Sequence, residues 1–431
     1  MKSDIEHRST PALSLTAVDQ AMLDGRNGPA DQMAMRIISR MAEVVGAERL
    51  MDITGAHIDS SLYMGEATLE FAEKLANFGA QVKVPTTLNV SGVDEAGWKE
   101  WAVPADWAEK ARQQMNAYER MGCSPTWTCA PYQLDVRPEL GQQVAWGESN
   151  AIVFANSVLG ARTERYPDLL DICAAITGRV PEVGLHLTSN RAAQLLLQLD
   201  GIPKELQQHD SFYPVLGFVL GELAGDRVAC ISGFEVEPSE DQLKALGAAA
   251  ASSGAVALFH IPGVTPEAPS EEAAFQGREP DERIAISMDR LRAARRVLTN
   301  APGTELDLVV LGSPHFSIPE FQSLASLLGS SSKHPDVKFL VTTSRTVAAL
   351  AERAGLLEPI RAFGGRITLD TCILTTPMLP ESVQSLMTNS AKYAYYSPGL
   401  VNVTVAYGGL EDCVNSAMRG QIVQENGLWQ N

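Results

Sequence analysis

Apolar positions along the chain alternate between two rhythms. Met33, Ile37, Met41 and Val44 recur at helical spacing, and Gly46 stops the pattern. RLMDITGAHID then reads as a strand running into a polar loop. Leu69, Ala72, Leu75 and Ala76 form a second helical stripe ended by Gly79, and QVKVPTTLN follows as strand and loop. This is a βαβ rhythm. The stretch from Gly92 to Met121 is Trp-rich and polar, with a helix predicted over PADWAEKARQQMNAYERM. Helix and strand signals are mixed from Gly122 to Arg191, where chemically capable side chains are dense. Order returns with Ser239 and Gln242, which have capping-box spacing before a helix. GAVALFHIPGVTP, LDLVVLGSPHFS, VKFLVTTSRT, RITLDTCILTTP and VNVTVAYGGLEDC then read as strands with polar exits.

The pattern predicts an α/β fold. Residues 1–30 are expected to be an N-terminal arm. Residues 31–431 are expected to hold two or three α/β units, with boundaries near 125, 235 and 330. The acidic, proline-bearing segment 267–283 reads as an exposed excursion. Open α/β sheets bind ligands at the carboxyl ends of their strands. Here those ends carry His260, His315, Ser344, Arg345, Cys372 and Cys413.

Composition narrows the function classes. Of 431 residues 45% are apolar, which suits a globular protein. No apolar run approaches the roughly 20 residues that span a bilayer, and the N-terminal MKSDIEHRSTPAL has no signal-like apolar core. A cytoplasmic protein is expected. The formal charge of −18 disfavours nucleic acid and anionic membrane partners. Six cysteines with no CxxC pair are neither a disulfide framework nor a zinc ribbon.

Three of those cysteines, Cys129, Cys372 and Cys413, stand in polar loops far apart in sequence. Separated thiols can converge on one iron centre that leaves a position open for substrate; equally, free cysteines are among the most buried residue types. Cys173 and Cys230 lie in apolar surroundings and read as core. Glu148, Ser149, Asn156 and Arg162 surround the apolar run AIVFA. They suit either proton transfer with a carboxylate clamp, or a capped helix. His57, His186 and His260 fit a base or a hydrogen-bonded core position. Thr342, Thr343, Ser344 and Arg345 form a strand exit that suits an anion site or an ordinary N-cap. Lys392, among tyrosines, suits an acid–base group, a carboxylate anchor or a snorkelling surface lysine.

Taken together, AWGESNAIVFANSVLGART, ITGRVPEVGLHL, SSGAVALFHIPGVTPEA, TTSRT, LDTC, MTNSAKYAYYSPG and GGLEDCVNSA resemble the catalytic portion of the aconitase X family, from about Met33 to the C-terminus. The resemblance implies an aconitase-like multi-unit α/β architecture whose strands exit into a shared active-site cleft. It also implies a hydro-lyase acting on a small-molecule carboxylate, with an iron–sulfur cluster or a mononuclear iron. It assigns Cys129, Cys372 and Cys413 to the metal, Glu148, Lys392 and His260 to catalysis, and Asn156, Ser157, Arg162, Ser344 and Arg345 to the substrate. Family enzymes add a small swivelling domain, expected here as a subunit on a separate chain. The stretch RTERYPDLLDICAAITGR favours cis-3-hydroxy-L-proline as substrate. The alternatives are a large subunit of mevalonate 5-phosphate dehydratase and a non-catalytic anion-binding scaffold.

Overall fold

A computed structural model describes residues 13–430 and turns the predicted alternation into three parallel sheets. The first sheet orders Thr86–Leu88, Ala56–Ile58 and Ala145–Trp146. The second orders Phe259–His260, Ala229–Ser232, Leu195–Leu199 and Glu282–Ile286. The third orders Arg366–Leu369, Lys338–Thr343, Leu308–Leu311, Ser385–Thr388 and Thr404–Tyr407. Helices cover both faces of such sheets, so their strands are continuous apolar runs; every residue of Leu308–Leu311 is buried.

The sheets change between Trp146 and Leu195 and between Ile286 and Leu308. The expected boundaries near 125, 235 and 330 fall inside the three sheets. Loops lengthen there without the chain leaving its sheet. Of the expected arm, residues 1–12 lie outside the described residues, and residues 13–30 belong to the body. The helix Ala17–Leu23 buries Met22, and its buried Asp19 meets Arg179 Nε at 3.0 Å. The excursion at 267–283 is only partly exposed: Ala268, Ala274 and Phe275 are buried. No helix among the described residues is long and apolar enough to cross a membrane.

One packing relationship positions the chemistry. The helix Glu240–Ser253 of the second unit touches both Ser149–Phe154 from the first and Ala391–Leu400 from the third. Glu148 caps the first of these two helices and Lys392 lies in the first turn of the other. A single apolar floor therefore brings together two polar residues remote in sequence.

Candidate active site

Strand exits of the first and third units converge on a cavity of about 330 Å³ whose wall includes Asp59, Asn89, Cys129, Glu148, Cys372 and Lys392. Glu148 is placed by its helix: Oε2 accepts from the backbone N–H of Ala151 at 2.8 Å and from the Asn150 amide, as N-cap carboxylates do. Lys392 Nζ donates to Glu148 Oε1 at 2.6 Å. Burial opposes the lysine charge, but Glu148 and then Cys129 outweigh it and raise the Lys392 pKa above the ordinary lysine value. Lys392 is thus a fixed ammonium at neutral pH.

Cys129 and Cys372 face the same cavity and are near enough that charge on Cys372 raises the pKa of Cys129. Burial and Glu148 push the Cys129 thiol up to about 12, while Lys392 and the His315 N–H oppose them. His315 joins the two cysteine loops. Its backbone N–H donates to Cys129 Sγ at 3.2 Å, and its ring bridges Thr128 Oγ1 and the Thr371 carbonyl, each at 3.2 Å. Buried between them, the imidazole is lowered to about 4 and stays neutral.

Ser149 also lines this cavity, and the remaining expected site residues do not reach it. Cys413 lies inside the helix Leu410–Arg419, fully buried in the third unit's core with Val414 and Ala417. No three-thiol cluster forms among the described residues. Asn156 is saturated: it donates to the Thr163 and Ala257 carbonyls and accepts from the Thr163 N–H and Arg191 Nη1, all at 3.0 Å. Ser157 Oγ accepts from the Phe259 N–H at 2.9 Å. Arg162 donates to Thr188 Oγ1 at 2.7 Å and faces Glu267 at 3.6 Å. His260 Nε2 donates to the Arg191 carbonyl at 2.8 Å, and burial lowers its pKa. Ser344 is an N-cap for Val347, and Arg345 is held by Asp370 at 2.6 Å and Glu95 at 2.9 Å. These residues build the scaffold around the cavity rather than its wall. His57 and His186 are likewise buried and bonded, to Thr87 and to Gln143 and Tyr166.

Sequence reasoning missed Asp59, Asn89 and Arg165, all in the cavity wall. Asp59 directly follows the strand Ala56–Ile58, so the strand-exit rule applied to GAHID would have found it. The Arg165 guanidinium makes no ion pair among the described residues, in a wall where Lys392 is already paired.

Comparison with known proteins agrees with this architecture. Models of the aconitase X first, second and third domains match residues 12–189, 193–296 and 306–419. The cis-3-hydroxy-L-proline dehydratase of Pseudomonas aeruginosa is 48% identical over 410 residues, 94% of this chain and 70% of that protein. The phosphomevalonate dehydratase large subunit of Methanothermobacter thermautotrophicus is 38% identical over 398 residues, 91% of this chain and 96% of that one. A crystal structure of Thermococcus kodakaraensis aconitase X in its holo-form superposes with a TM-score of 0.84 at 32% identity, covering 94% of this chain and all of that one. Relatives in both branches are dehydratases, that is hydro-lyases, and the chain belongs to the aconitase X family.

Proposed function

We propose that the chain is the catalytic large part of a hydro-lyase that dehydrates cis-3-hydroxy-L-proline in the cytoplasm. The product Δ2-pyrroline tautomerises to Δ1-pyrroline-2-carboxylate. The observation that carries this reading is the convergence of the Glu148–Lys392 pair with Cys129 and Cys372 on one cavity. Sequence identity to a hydroxyproline dehydratase supports the choice of substrate. A phosphate ester calls for several free cations, and this wall offers the unpaired Arg165 beside an already paired Lys392.

An iron centre fits the donors in part. Cys129 and Cys372 would hold it, with the Ser313 and Thr375 hydroxyls in the same wall; Cys413, in the third unit's core, would not take part. When bound, such a centre supplies a Lewis acid for the departing hydroxyl. A protonated Cys129 would give up its proton on binding the metal. The remaining chemistry belongs to the chain. Arg165 meets the substrate carboxylate. The Lys392 ammonium, held in place by Glu148, stabilises the enolate-like charge that grows on that carboxylate as the neighbouring proton leaves. A small swivelling domain on a separate chain closes the site; support comes from the archaeal relatives, which are named large subunits.

Anaerobic co-expression with the candidate small subunit, followed by parallel assays on cis-3-hydroxy-L-proline and mevalonate 5-phosphate, tests this reading. Dehydration of the amino acid is expected. Preference for the phosphate ester would transfer the chain to the other branch.

A further inference from the structure

Dehydration next to a carboxylate needs a base for the α-proton, and Glu148 is poorly placed to supply it. One of its oxygens holds Lys392 and the other caps the helix Ser149–Phe154. A second carboxylate faces the same cavity. Asp59 Oδ1 accepts from the Asn89 amide, while Oδ2 carries no hydrogen bond among the described residues. The loop beneath Asp59 is fixed from behind, because Asp171 accepts from the backbone N–H of Asp59 at 2.6 Å and of Ser60 at 3.1 Å.

The close packing of the Asp59 loop on Asp171 leaves room at residue 147 only for glycine. A Cβ at residue 147 would stand 2.7 Å from Asp171 Oδ2, 3.0 Å from Asp59 Cβ and 3.2 Å from Asp59 N. A side chain there would crowd the Asp171 carboxylate and the Asp59 loop that this carboxylate holds. Beside it, Asn89 lies in the cavity wall with its amide N–H held on Asp59 Oδ1, and its buried Oδ1 has no hydrogen bond among the described residues.

Resting on the dehydratase reading above, we infer that Asp59 is the general base, and that its free Oδ2 removes the proton from the carbon α to the substrate carboxylate. The C–H electron pair becomes the new carbon–carbon π bond as the C–O bond breaks, and the C–O pair leaves with hydroxide. Asp59, now a carboxylic acid, passes its proton to that hydroxide, giving water and restoring the carboxylate. No oxidant or reductant is consumed. The electrostatics agree with the geometry. Burial raises the Asp59 pKa to about 7, helped by Glu148, Asp171 and Asp168 and opposed by Lys392. A base poised near neutrality accepts a proton readily and releases it again.

The test compares wild-type protein, D59N and D59E, each iron-loaded and assembled with the small subunit. It reads kcat, KM, the pH profile of kcat/KM, product affinity, and exchange of the α-hydrogen in deuterated water. Wild type should show a kcat/KM that rises with pH through about 7. D59N should lose about 10²–10⁴-fold in kcat, with KM and product affinity within about threefold, and should lose both the acid limb and α-hydrogen exchange. D59E, which keeps a carboxylate, should recover part of the exchange. Circular dichroism and iron content identify any variant that has failed to fold; in that event the D59E profile and the wild-type acid limb decide. If D59N raises KM strongly while keeping kcat and the acid limb, Asp59 is an anchor for the substrate amine and the assignment is overturned. A wild-type complex that dehydrates neither hydroxy acid overturns the dehydratase reading itself, and the base assignment with it.

Discussion

Lys392 Nζ and Glu148 Oε1 lie 2.6 Å apart although 244 residues separate them in the chain. Both side chains are largely buried, and breaking one member of such a pair leaves the other charge uncompensated. K392M should therefore lose on the order of 3 kcal/mol of stability, with kcat falling at least about a hundredfold. The double variant K392M/E148Q should be more stable than K392M alone, because no orphan charge remains. Denaturant melts of K392M, E148Q, the double variant and wild type complete this cycle.

The two cavity thiols and the core thiol should behave differently. C129A and C372A should each purify without iron and without turnover. C413A should retain iron, because Cys413 lies among Val414, Ala417 and Leu410 in the third unit; its effect should be a modest fall in Tm from lost packing. Iron quantified per chain after anaerobic purification separates the two cases.

His315 binds neither cavity nor substrate in this account, yet it ties Thr128 to Thr371, the residues preceding both cavity cysteines. H315A should weaken iron binding about 10–100-fold, as loss of a supporting partner around a metal does. Chelator competition measures it. H315N, which keeps hydrogen-bonding capacity, should recover part of the affinity.

Arg165 should govern affinity rather than chemistry. R165A should raise KM about tenfold, the loss of roughly one charge-assisted contact, with iron content unchanged. Steady-state kinetics on the hydroxy acid report the split.

Asp59 carries a stability cost with a defined sign. Its carboxyl is raised to about 7 on folding, so the folded chain resists releasing a proton that the unfolded chain gives up. The cost is full above pH 7 and vanishes as pH falls toward the ordinary aspartate range near 4. D59N should accordingly raise stability by on the order of 2 kcal/mol at pH 8, with the gain shrinking steadily toward pH 4. Melts at several pH values would show it; a gain that grows as pH falls has the wrong sign.

The α/β class, the strand exits and Cys372 were legible in the sequence because parallel strands are apolar runs and their ends are polar. Cys413 was not. It lies six residues past the strand Thr404–Tyr407, by which point the chain has turned into the helix Leu410–Arg419 and helical spacing has carried the thiol inward. Asn156 and Arg162 look reactive in sequence. Their partners, Ala257, Arg191 and Glu267, come from distant segments that only the fold brings close. Arg191 is a bracket of the same kind: it is almost fully buried and paired with Glu267 at 2.6 Å. Glu148 was legible as a polar group near an apolar run, but its pairing with Lys392 depends on both helices resting on Glu240–Ser253.

Iron-dependent dehydration in the cavity shared by Cys129, Cys372, Glu148 and Lys392 is open to direct test. The most direct measurement is turnover of cis-3-hydroxy-L-proline by the assembled protein before chelation, after chelation, and after ferrous iron is returned under anaerobic conditions. Activity should be lost with the metal and regained with it. Undiminished turnover by protein verified to contain no iron would contradict iron dependence.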